Sequence, residues 1–387
     1  MDFDFTAEQI ALRDAASRVC REVLTPLSKA ARASGDIQGV RAAMAAHGLL
    51  GLNLPQTYGG VGLPLLTTLL LIQSIQAVDT TLGGISHRTS TGAVGAILEL
   101  GNAWQKERFV APVARGEAGI SIGITEPEAG SAATALKTTA RVEGDFVHVN
   151  GQKCFITAAK DNHHTVVYCR FGSTGRAADI GAVIVPHDAP GFHRSNGSLN
   201  MAGEYQYELF FDDCRIPRSH VLVDGNAFGK LISVYNVERL GSIARMLGCA
   251  QAAYEYALDY VKERKQFGRE LADFQGLQWM LAEMKIKLDA SQLLTWRAAT
   301  SIDAGKAAPL EVSVAKVFVA ESAKEICDDA IQLLGGYGYM TDYPVQQLYR
   351  EVRGGSIYGG TVQIHKNMIA AQILGRRSHQ WKRGSEA

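Results

Sequence analysis

The sequence predicts a mostly α-helical chain of the α+β class, with an N-terminal helical domain, a middle antiparallel β domain and a C-terminal helical bundle. Apolar residues recur at helical spacing up to about residue 118, strand-like alternation follows over residues 119–226, and helical spacing returns from residue 227. The chain has 387 residues, 47% of them hydrophobic and 20% charged, so it can bury a large core. We therefore expect domains over residues 1–118, 119–226 and 227–387.

The N-terminal domain is predicted to consist of helices joined by short breaks. The first helix begins after Thr6, which can form a reciprocal capping box with Gln9. Three further stretches have helical spacing and are separated by segments rich in glycine and proline. They cover residues 36–49, 64–79 and 88–114.

The middle domain is predicted from short segments whose residues alternate in polarity. These segments cover residues 139–142, 146–149, 153–157, 165–170, 181–185 and 207–211. Turn residues separate them at Gly144-Asp145 and at Asn150-Gly151. Because Asn-Gly is typical of a two-residue hairpin loop, we expect a hairpin at Asn150-Gly151.

The C-terminal domain has apolar residues at three- and four-residue steps from Leu240 to Val261 and again from Leu277 to Leu288. Several of these positions are alanine or tyrosine, and they keep no strict heptad repeat. The pattern therefore favours a packed helical bundle over a coiled coil.

Composition excludes several classes of function. Lys+Arg and Asp+Glu both count 39, which gives no basic surface for nucleic acid or an anionic membrane. The six cysteines lie far apart and form no zinc or disulfide spacing, so we expect no metal. The first residues lack the features of a secretory or transit peptide, and the longest apolar stretch, residues 63–72, is too short to span a bilayer. We expect a cytoplasmic location.

Three segments together resemble the acyl-CoA dehydrogenase family. Residues 124–131 read I-T-E-P-E-A-G-S and are similar to that family's V-T-E-P-x-A-G-S. Residues 264–268 read R-K-Q-F-G and resemble its R-x-x-F-G, while residues 332–338 read Q-L-L-G-G-Y-G and resemble its Q-x-x-G-G-x-G. Their order and spacing, on a helix–strand–helix plan, extend the resemblance over nearly the whole chain.

The resemblance implies a fold, a cofactor and a reaction. The fold is the family's, with a C-terminal four-helix bundle and FAD between the β domain and the bundle, partly against a neighbouring subunit. A homotetramer or homodimer is therefore expected. The implied reaction is α,β-dehydrogenation of an acyl-CoA, in which a base removes the α proton and flavin N5 accepts the β hydride. The family's usual electron acceptor is an electron-transferring flavoprotein.

The resemblance also assigns the FAD-binding residues. They are Ile124, Thr125, Ser131, Phe155, Thr157, Arg264, Gln266, Phe267, Gln332, Gly335, Gly336, Thr361 and Gln363. Thr157 corresponds to the family's hydrogen-bond partner of flavin N5, and Arg264 to an arginine that reaches the FAD of the adjacent subunit. Two positions depart from the family: Phe155 stands in place of a tryptophan, and Ala158 in place of an asparagine.

The base expected from the family is absent near the C-terminus. Most members carry a catalytic glutamate in I-Y-E-G-T, but residues 357–361 read I-Y-G-G-T here, and Gly359 has no side chain. Isovaleryl-CoA and long-chain dehydrogenases instead carry the glutamate in D-x-E-R, which residues 236–239, N-V-E-R, resemble. The resemblance therefore assigns the base to Glu238. The alternative is a solvated helix glutamate or an ion-pair partner of Arg239 or Arg245.

Substrate contacts are assigned in the same way. They are Ser131, Asn236, Arg239, Gly359, Gly360, His87 and Arg88. Because His87 and Arg88 lie on a helix that lines the acyl pocket in the family, one hypothesis is a polar or carboxylated acyl chain. The alternative is a surface His-Arg pair.

Other activities stay open. Residues 131–133, 270–280 and 359–361 are close to segments of a non-oxidative relative, sulfinopropionyl-CoA desulfinase, although Glu238 favours oxidation. A reductase that runs the same chemistry backwards is a second alternative. A catalytically silent FAD- or CoA-binding scaffold is the third.

Overall fold

The computed structural model describes residues 4–34 and 36–375 and divides the chain into two compact units. The first, here called the helical unit, contains the described residues up to Pro26 together with Pro64–Gly84 and Arg239–Ile373. The second, the sheet unit, contains Leu27–Leu63 and Ile85–Glu238. The unit boundaries differ from those of the three predicted domains, which remain a prediction.

The helices are numbered in chain order. They are α1 (Ala7–Val19), α2 (Thr25–Ser34), α3 (Ile37–Ala46), α4 (Leu65–Val78), α5 (Thr80–Ser90), α6 (Val94–Leu100), α7 (Ala103–Gln105), α8 (Ala111–Ala114), α9 (Phe228–Glu263), α10 (Gln275–Asp303), α11 (Pro309–Leu334), α12 (Pro344–Gly354) and α13 (Val362–Ile373). Short π-helical turns follow α1 and α7, at Cys20–Leu24 and Lys106–Val110. None of the helices within the described ranges is long and apolar enough to cross a membrane.

The predicted capping box at the start of α1 is confirmed. The Thr6 hydroxyl accepts a hydrogen bond from the Gln9 amide at 3.2 Å, and the Gln9 side chain accepts one from the Thr6 amide at 3.0 Å. The single helix predicted over residues 88–114 is wrong. Gly101 is extended there, and Asn102 caps a new helix through a second capping box with Gln105, so the stretch is broken into α6, α7 and α8.

In the helical unit, α10 packs against α11, which also contacts α12 and α13, while α4 packs against α1 and α10. Both long helices carry buried alanines, among them Ala298 and Ala299 of α10 and Ala315 of α11, and such small residues let helices approach closely. Asp303 at the end of α10 accepts hydrogen bonds from the first two amides of α4, at 2.7 and 3.0 Å. A carboxylate at a helix N-terminus satisfies donors that have no partner within the helix.

The sheet unit is built on one large sheet. Its strands are β1 (Ile120–Gly123), β2 (Thr139–Glu143), β3 (Phe146–Thr157), β4 (His164–Arg170), β5 (Ile180–Pro186), β6 (Phe192–Arg194), β7 (Ser198–Leu199), β8 (Tyr205–Pro217) and β9 (Val221–Val223). The order is β6-β8-β3-β2-β4-β5-β9, with β1 beside β4 and β7 beside β8. The pairings are antiparallel as predicted, except that β4 runs parallel to β1 and meets β2 at one parallel pair.

The hairpin predicted at Asn150-Gly151 is wrong, because β3 runs straight through both residues. The hairpin instead lies at the preceding turn, Gly144-Asp145, where Glu143 at the end of β2 pairs with Phe146 at the start of β3. The Asn150 side chain accepts a hydrogen bond from the Asp213 amide at 2.8 Å, and the register between β3 and β8 shifts between Val149 and Gly151. This Asn-Gly pair therefore lies opposite a β-bulge, in which Asp212 and Asp213 of β8 face the single residue Asn150 of β3.

Two hydrophobic cores lie on opposite faces of the sheet. On one face, Val166 and Tyr168 of β4 pack with α6, α8 and the preceding π-helical turn, and on the other face Val167 and Cys169 pack with β3, β5 and β8. Because both faces are buried, β4 is apolar along most of its length. The sheet is thus a rigid base for the loops at its edge.

Candidate active site

The predicted base, Glu238, lies within α9 and contacts His87 of α5. Its side chain is 14% exposed, and its Oε1 lies 3.5 Å from Nε2 of His87, whose side chain is 5% exposed. The same Nε2 lies 3.3 Å from the backbone oxygen of Glu238. Two residues that the sequence places 151 positions apart are therefore adjacent in the sheet unit. Because His87 is buried, the alternative of a surface His-Arg pair does not hold for it.

Arg88, the next residue of α5, begins a chain of polar contacts that ends at Thr157. Its Nη1 donates to Oε1 of Glu204 at 3.2 Å, and Gln206 Nε2 donates to Oε2 of Glu204 at 3.4 Å. Because a carboxylate only accepts, the Gln206 amide nitrogen must face Glu204 and its oxygen must face Thr157. The Thr157 hydroxyl then donates to Gln206 Oε1, at 3.0 Å, and keeps its own lone pairs for another donor.

The 124–131 segment is held in place by a buried ion pair. Lys153 Nζ lies 2.6 Å from Glu126 Oε1 and also donates to the backbone oxygen of Ile124 at 3.2 Å. Glu126 further accepts from the amides of Lys137 and Thr138, at 2.5 and 2.9 Å. Burial by itself would raise the pKa of the Glu126 carboxyl, but the charge of Lys153 and these hydrogen bonds hold it below its ordinary value. The Glu126 carboxyl is therefore ionised at neutral pH, while burial lowers the pKa of the Lys153 ammonium and the charge of Glu126 opposes that shift.

The end of strand β3 presents an exposed aromatic ring beside this segment. The amide of Cys154 donates to the backbone oxygen of Thr125 at 2.9 Å, which ties Thr125 to β3. Phe155 follows with a φ of 57° and an exposure of 73%. A phenylalanine in the left-handed region is strained, and an exposed ring gains nothing from burial. This geometry suits a residue whose ring is covered by a ligand. Ser131 is exposed as well.

In the helical unit, the backbone oxygen of Gly359 accepts from two buried side chains. Arg239 Nε donates to it at 2.9 Å, and His365 Nε2 lies 3.1 Å away. Since a carbonyl oxygen only accepts, His365 carries its proton on Nε2, and its Nδ1 accepts from the Ser313 hydroxyl at 3.2 Å. Burial, then the charges of Arg239 and Lys316, lower the pKa of His365 to about 3, although its bond to Gly359 opposes this. The imidazole is therefore neutral at pH 7.

Gly359 also has a conformation that favours glycine, with a φ of 69°. A Cβ at this position would lie 3.6 Å from Nζ of Lys316, which is fully buried and lies over the ring of Tyr358 at 4.8 Å. Gly360 has a φ of 94°, and Thr361 then caps α13 by accepting from the Ile364 amide at 3.2 Å. Gln363 is exposed in the first turn of that helix, and Asn236 is buried in α9.

The R-K-Q-F-G segment, residues 264–268, forms a short hairpin directly after a long helix. Helix α9 stops at Glu263, and Gln266 lies on strand β10 (Lys265–Gln266), which pairs with β11 (Arg269–Glu270). Arg264 caps α9, since its amide donates to the Tyr260 oxygen at 2.9 Å, and Gln266 lies beyond the helix, before a tight turn in which Phe267 and Gly268 both take positive φ. Phe267 is 94% exposed at the tip.

Arg264 lies near the third segment, at the end of α11. Its guanidinium carbon is 5.6 Å from the ring centre of Tyr337. Gly335 ends α11 with a φ of 60°, and Gln332 is exposed in the last turn. A Cβ at Gly335 or Gly336 would meet no heavy atom within 4 Å among the described residues, so the backbone is open to a ligand or a second subunit.

Buried neutral histidines make the fold sensitive to acid. Burial is the main cause that lowers the pKa of His164 and of His187 to about 4, as it lowers that of His365 to about 3. In the unfolded chain these groups titrate near the ordinary value of about 6.5. The unfolded state therefore binds more protons below that pH, and stability present above it is lost as pH falls toward 4 and 3.

We predict that the urea concentration at the unfolding midpoint decreases when the pH is lowered from 7 to 5. The decrease should be smaller in His365→Gln than in wild type. Glutamine keeps a donor toward Gly359 without titrating. Unfolding of wild type and variant should be followed by circular dichroism at both pH values. His193→Gln, at an exposed position, is the matched control and should show the wild-type decrease. An equal decrease of the midpoint in wild type and His365→Gln would contradict the claim that buried, neutral His365 contributes to the acid sensitivity.

Comparison with known proteins identifies the family. Residues 6–117, 121–214 and 228–374 match the family models of the acyl-CoA dehydrogenase N-terminal, middle and C-terminal domains. The chain belongs to the acyl-CoA dehydrogenase family. It is 35% identical to a 3-sulfinopropanoyl-CoA desulfinase of Paraburkholderia xenovorans, over 98% of this chain and 99% of that protein. It is 32% identical to CarC, a subunit of the caffeyl-CoA reductase-Etf complex of Acetobacterium woodii, over 92% and 94%.

A solved structure extends the comparison to the fold. Butyryl-CoA dehydrogenase from Megasphaera elsdenii superimposes with a TM-score of 0.91 at 28% identity, covering 97% of this chain and all of that one. The acyl-CoA dehydrogenase fold predicted from the sequence, with helical N-terminal, β middle and helical C-terminal domains, is thereby confirmed. The prediction of an enzyme of this family is confirmed as well.

FAD is the cofactor of acyl-CoA dehydrogenases, and the residues of this chain suit it. In the sheet unit, the Thr157 hydroxyl has lone pairs available, Thr125 is tied to β3, and Phe155 offers an uncovered ring. In the helical unit, the open backbone at Gly335 and Gly336 permits close approach of a dinucleotide. Both features match the donor groups and apolar surface that a flavin dinucleotide requires.

Several residues that shape this acyl-CoA dehydrogenase site were missed from the sequence. They are Glu126, Lys153, Glu204, Gln206, Ser313, Lys316 and His365. Glu126 lies inside a recognised motif, but the sequence does not distinguish it from the neighbouring Glu128. Lys153 reads as an ordinary strand lysine, and no local signal indicates its burial. The Glu204–Gln206 pair could be found only from the fold.

Proposed function

We propose that this enzyme oxidises the Cα–Cβ bond of an acyl-CoA thioester, with Glu238 as the base that removes the α proton. The observation that carries the proposal is the coincidence of two facts. Gly359 leaves the usual base position without a carboxylate, and Glu238 offers a largely buried one that a neighbouring histidine contacts. A carboxylate withdrawn from water and oriented by a donor is suited to accept a proton from carbon.

The residues of the sheet unit would bind and orient the reacting groups. Thr125 and Thr157 would hydrogen-bond the flavin ring of FAD, with Ile124 and Phe155 against it and Ser131 toward both FAD and the CoA ligand. When bound, FAD would supply the acceptor for the hydride that leaves Cβ, and with the α proton taken by Glu238 the thioester would leave as an enoyl-CoA. Glu238 holds the proton that leaves Cα.

The residues of the helical unit would bind the remaining parts of the ligands. Arg264, Gln266, Phe267, Gln332, Gly335 and Gly336 would contact the ADP part of FAD, from the same or a neighbouring subunit, and Thr361 and Gln363 would contact FAD as well. Arg239, Gly359 and Gly360 would contact the acyl-CoA, as would Asn236 of the sheet unit. The exposed Phe267 at the hairpin tip supports a homotetramer or homodimer, because an uncovered ring on a strained backbone gains stability from a partner subunit.

The electron acceptor is proposed to be an electron-transferring flavoprotein in the cytoplasm. The support comes from the family resemblance and from CarC, which the name of its complex places with an Etf. Arg88, which the family resemblance assigns to the acyl pocket, is proposed to receive a polar end of the acyl chain. Its pairing with Glu204 means that an anionic end would have to compete with a carboxylate.

The experiment is a visible spectrum of the purified protein followed by anaerobic addition of acyl-CoAs. We expect bound FAD, and bleaching of its absorption by at least one saturated acyl-CoA, with the matching enoyl-CoA as product. The panel should contain butyryl-, isovaleryl-, octanoyl-, glutaryl- and 3-sulfinopropanoyl-CoA. A protein that takes up no FAD would refute the proposal.

The same panel separates the alternative activities. Loss of sulfite from 3-sulfinopropanoyl-CoA without bleaching would indicate a desulfinase, which the 35% identical relative makes the second candidate. Reoxidation of dithionite-reduced enzyme by an enoyl-CoA, without bleaching by the saturated compound, would indicate a reductase. FAD binding without either reaction would indicate a silent scaffold.

A further inference from the structure

We propose that His87 is a positioning residue for the base, holding the Glu238 carboxylate in the orientation that takes the α proton. This inference rests on the proposed function of Glu238 and goes beyond it, because it gives His87 a role other than contact with the acyl chain. Both side chains are largely buried, and Nε2 of His87 lies 3.5 Å from Oε1 of Glu238.

The contact has a fixed polarity. Nε2 faces the backbone oxygen of Glu238 at 3.3 Å and the carboxylate oxygen at 3.5 Å, and neither of these atoms can donate while the carboxylate is ionised. Nε2 must therefore carry a hydrogen, which it donates to the backbone oxygen, while the carboxylate oxygen lies within ion-pair distance of the same N–H. The distances are longer than a strong charge-assisted bond, so the contact orients the carboxylate without strongly stabilising its charge. A base that must gain a proton keeps more of its basicity under such a contact than beside a close cation.

His87 can serve as a fixed point because its helix is held firmly. The hydroxyl of Ser90 accepts from the amide of Leu52 at 3.0 Å. The hydroxyls of Thr89 and Thr91 donate to carbonyl oxygens of the preceding turn, the latter to that of His87 itself at 3.3 Å. Arg88 is tied to Glu204 on another part of the sheet unit. A glutamate has three rotatable side-chain bonds, so an anchored donor restricts it at the point where its direction matters.

The inference predicts a loss in the proton-transfer step and not in binding. A carboxylate that turns away from Cα reacts more slowly, and a misplacement of about 1 Å can cost on the order of 100-fold in rate. We therefore expect His87→Leu to slow α-proton transfer by about 10- to 100-fold. His87→Gln places an amide N–H at a similar reach and should restore most of the rate.

The test measures exchange of the substrate's α hydrogen with deuterated solvent while the flavin is kept reduced with dithionite, which blocks hydride transfer. Wild type, His87→Leu, His87→Gln and the exposed-site control His193→Leu are compared, with the Kd for the acyl-CoA measured by titration. We expect slow exchange and a nearly unchanged Kd for His87→Leu, recovery in His87→Gln, and wild-type values for the control. Bound FAD and thermal melting are measured to check that each variant is folded. If His87→Leu does not fold, it is replaced by His87→Asn, whose side-chain amide is too short to reach Glu238.

Three results would overturn the inference. Exchange by His87→Leu at the wild-type rate would remove any role for His87 in proton transfer. A weakened Kd with normal exchange at saturation would make His87 a substrate contact instead. Exchange in His87→Gln as slow as in His87→Leu would mean that the donor is not what matters. Failure of the proposed function is distinct from all three, because wild type itself would then show no exchange, or Glu238→Gln would exchange normally.

Discussion

Glu238→Gln is expected to lower kcat for acyl-CoA oxidation by about 10²- to 10⁴-fold, the range that a positioned general base contributes. Glutamine has nearly the same shape as glutamate and can keep the contact with His87, but it cannot accept a proton from carbon. FAD content and acyl-CoA affinity should stay close to those of wild type, because the change removes a proton acceptor and leaves the flavin-binding residues untouched.

The control for this substitution lies on the same helix. Glu255→Gln changes an exposed glutamate of α9 and should leave kcat unchanged. Rates should be measured with an artificial electron acceptor, so that the physiological partner does not limit turnover. A Glu238→Gln enzyme that keeps more than a tenth of the wild-type kcat would mean that another group takes the α proton.

Lys153→Met is expected to destabilise the protein by about 3–5 kcal/mol, the cost of breaking a buried ion pair by removing one partner. The substitution leaves the Glu126 carboxylate buried without its cation, although the amides of Lys137 and Thr138 still donate to it. The 124–131 segment should loosen with it, so FAD affinity is expected to fall as well. The free energy of unfolding should be measured by urea titration of the FAD-free protein.

Two variants make this result specific. Lys160→Met changes an exposed lysine just beyond β3 and should cost little. The double variant Glu126→Gln/Lys153→Met removes the uncompensated charge and should be more stable than Lys153→Met alone. A cost below about 1 kcal/mol for Lys153→Met would contradict the view that the buried pair anchors the segment.

The three-part plan of the chain could be predicted because its hydrophobic period changes twice, near residues 119 and 227. The errors have a common cause, since each depends on what a segment meets in the fold. Asn150-Gly151 is a turn signal by composition, but pairing with β8 on the other side of β3 keeps the strand straight. Gln266 follows a long helical pattern, but the Phe267-Gly268 turn reverses the chain.

The candidate site could be predicted only in part for the same reason. Glu238 is proposed as the base from the missing carboxylate at Gly359 and from a motif that resembles the family's alternative base segment. Its contact with His87 could not be predicted, because nothing near either residue indicates the other. Burial of Lys153 and the neutral state of His365 likewise follow from tertiary contacts. A motif identifies which residues belong to a site, whereas the fold decides which of them touch.

The most direct test of the central claim is anaerobic stopped-flow absorbance of wild type and Glu238→Gln mixed with the best acyl-CoA of the panel. The wild-type flavin should bleach rapidly in a single turnover, because α-proton removal by Glu238 permits hydride transfer. The Glu238→Gln flavin should remain oxidised over the same time, although the variant binds FAD and the acyl-CoA. Equal bleaching of both proteins would contradict the account.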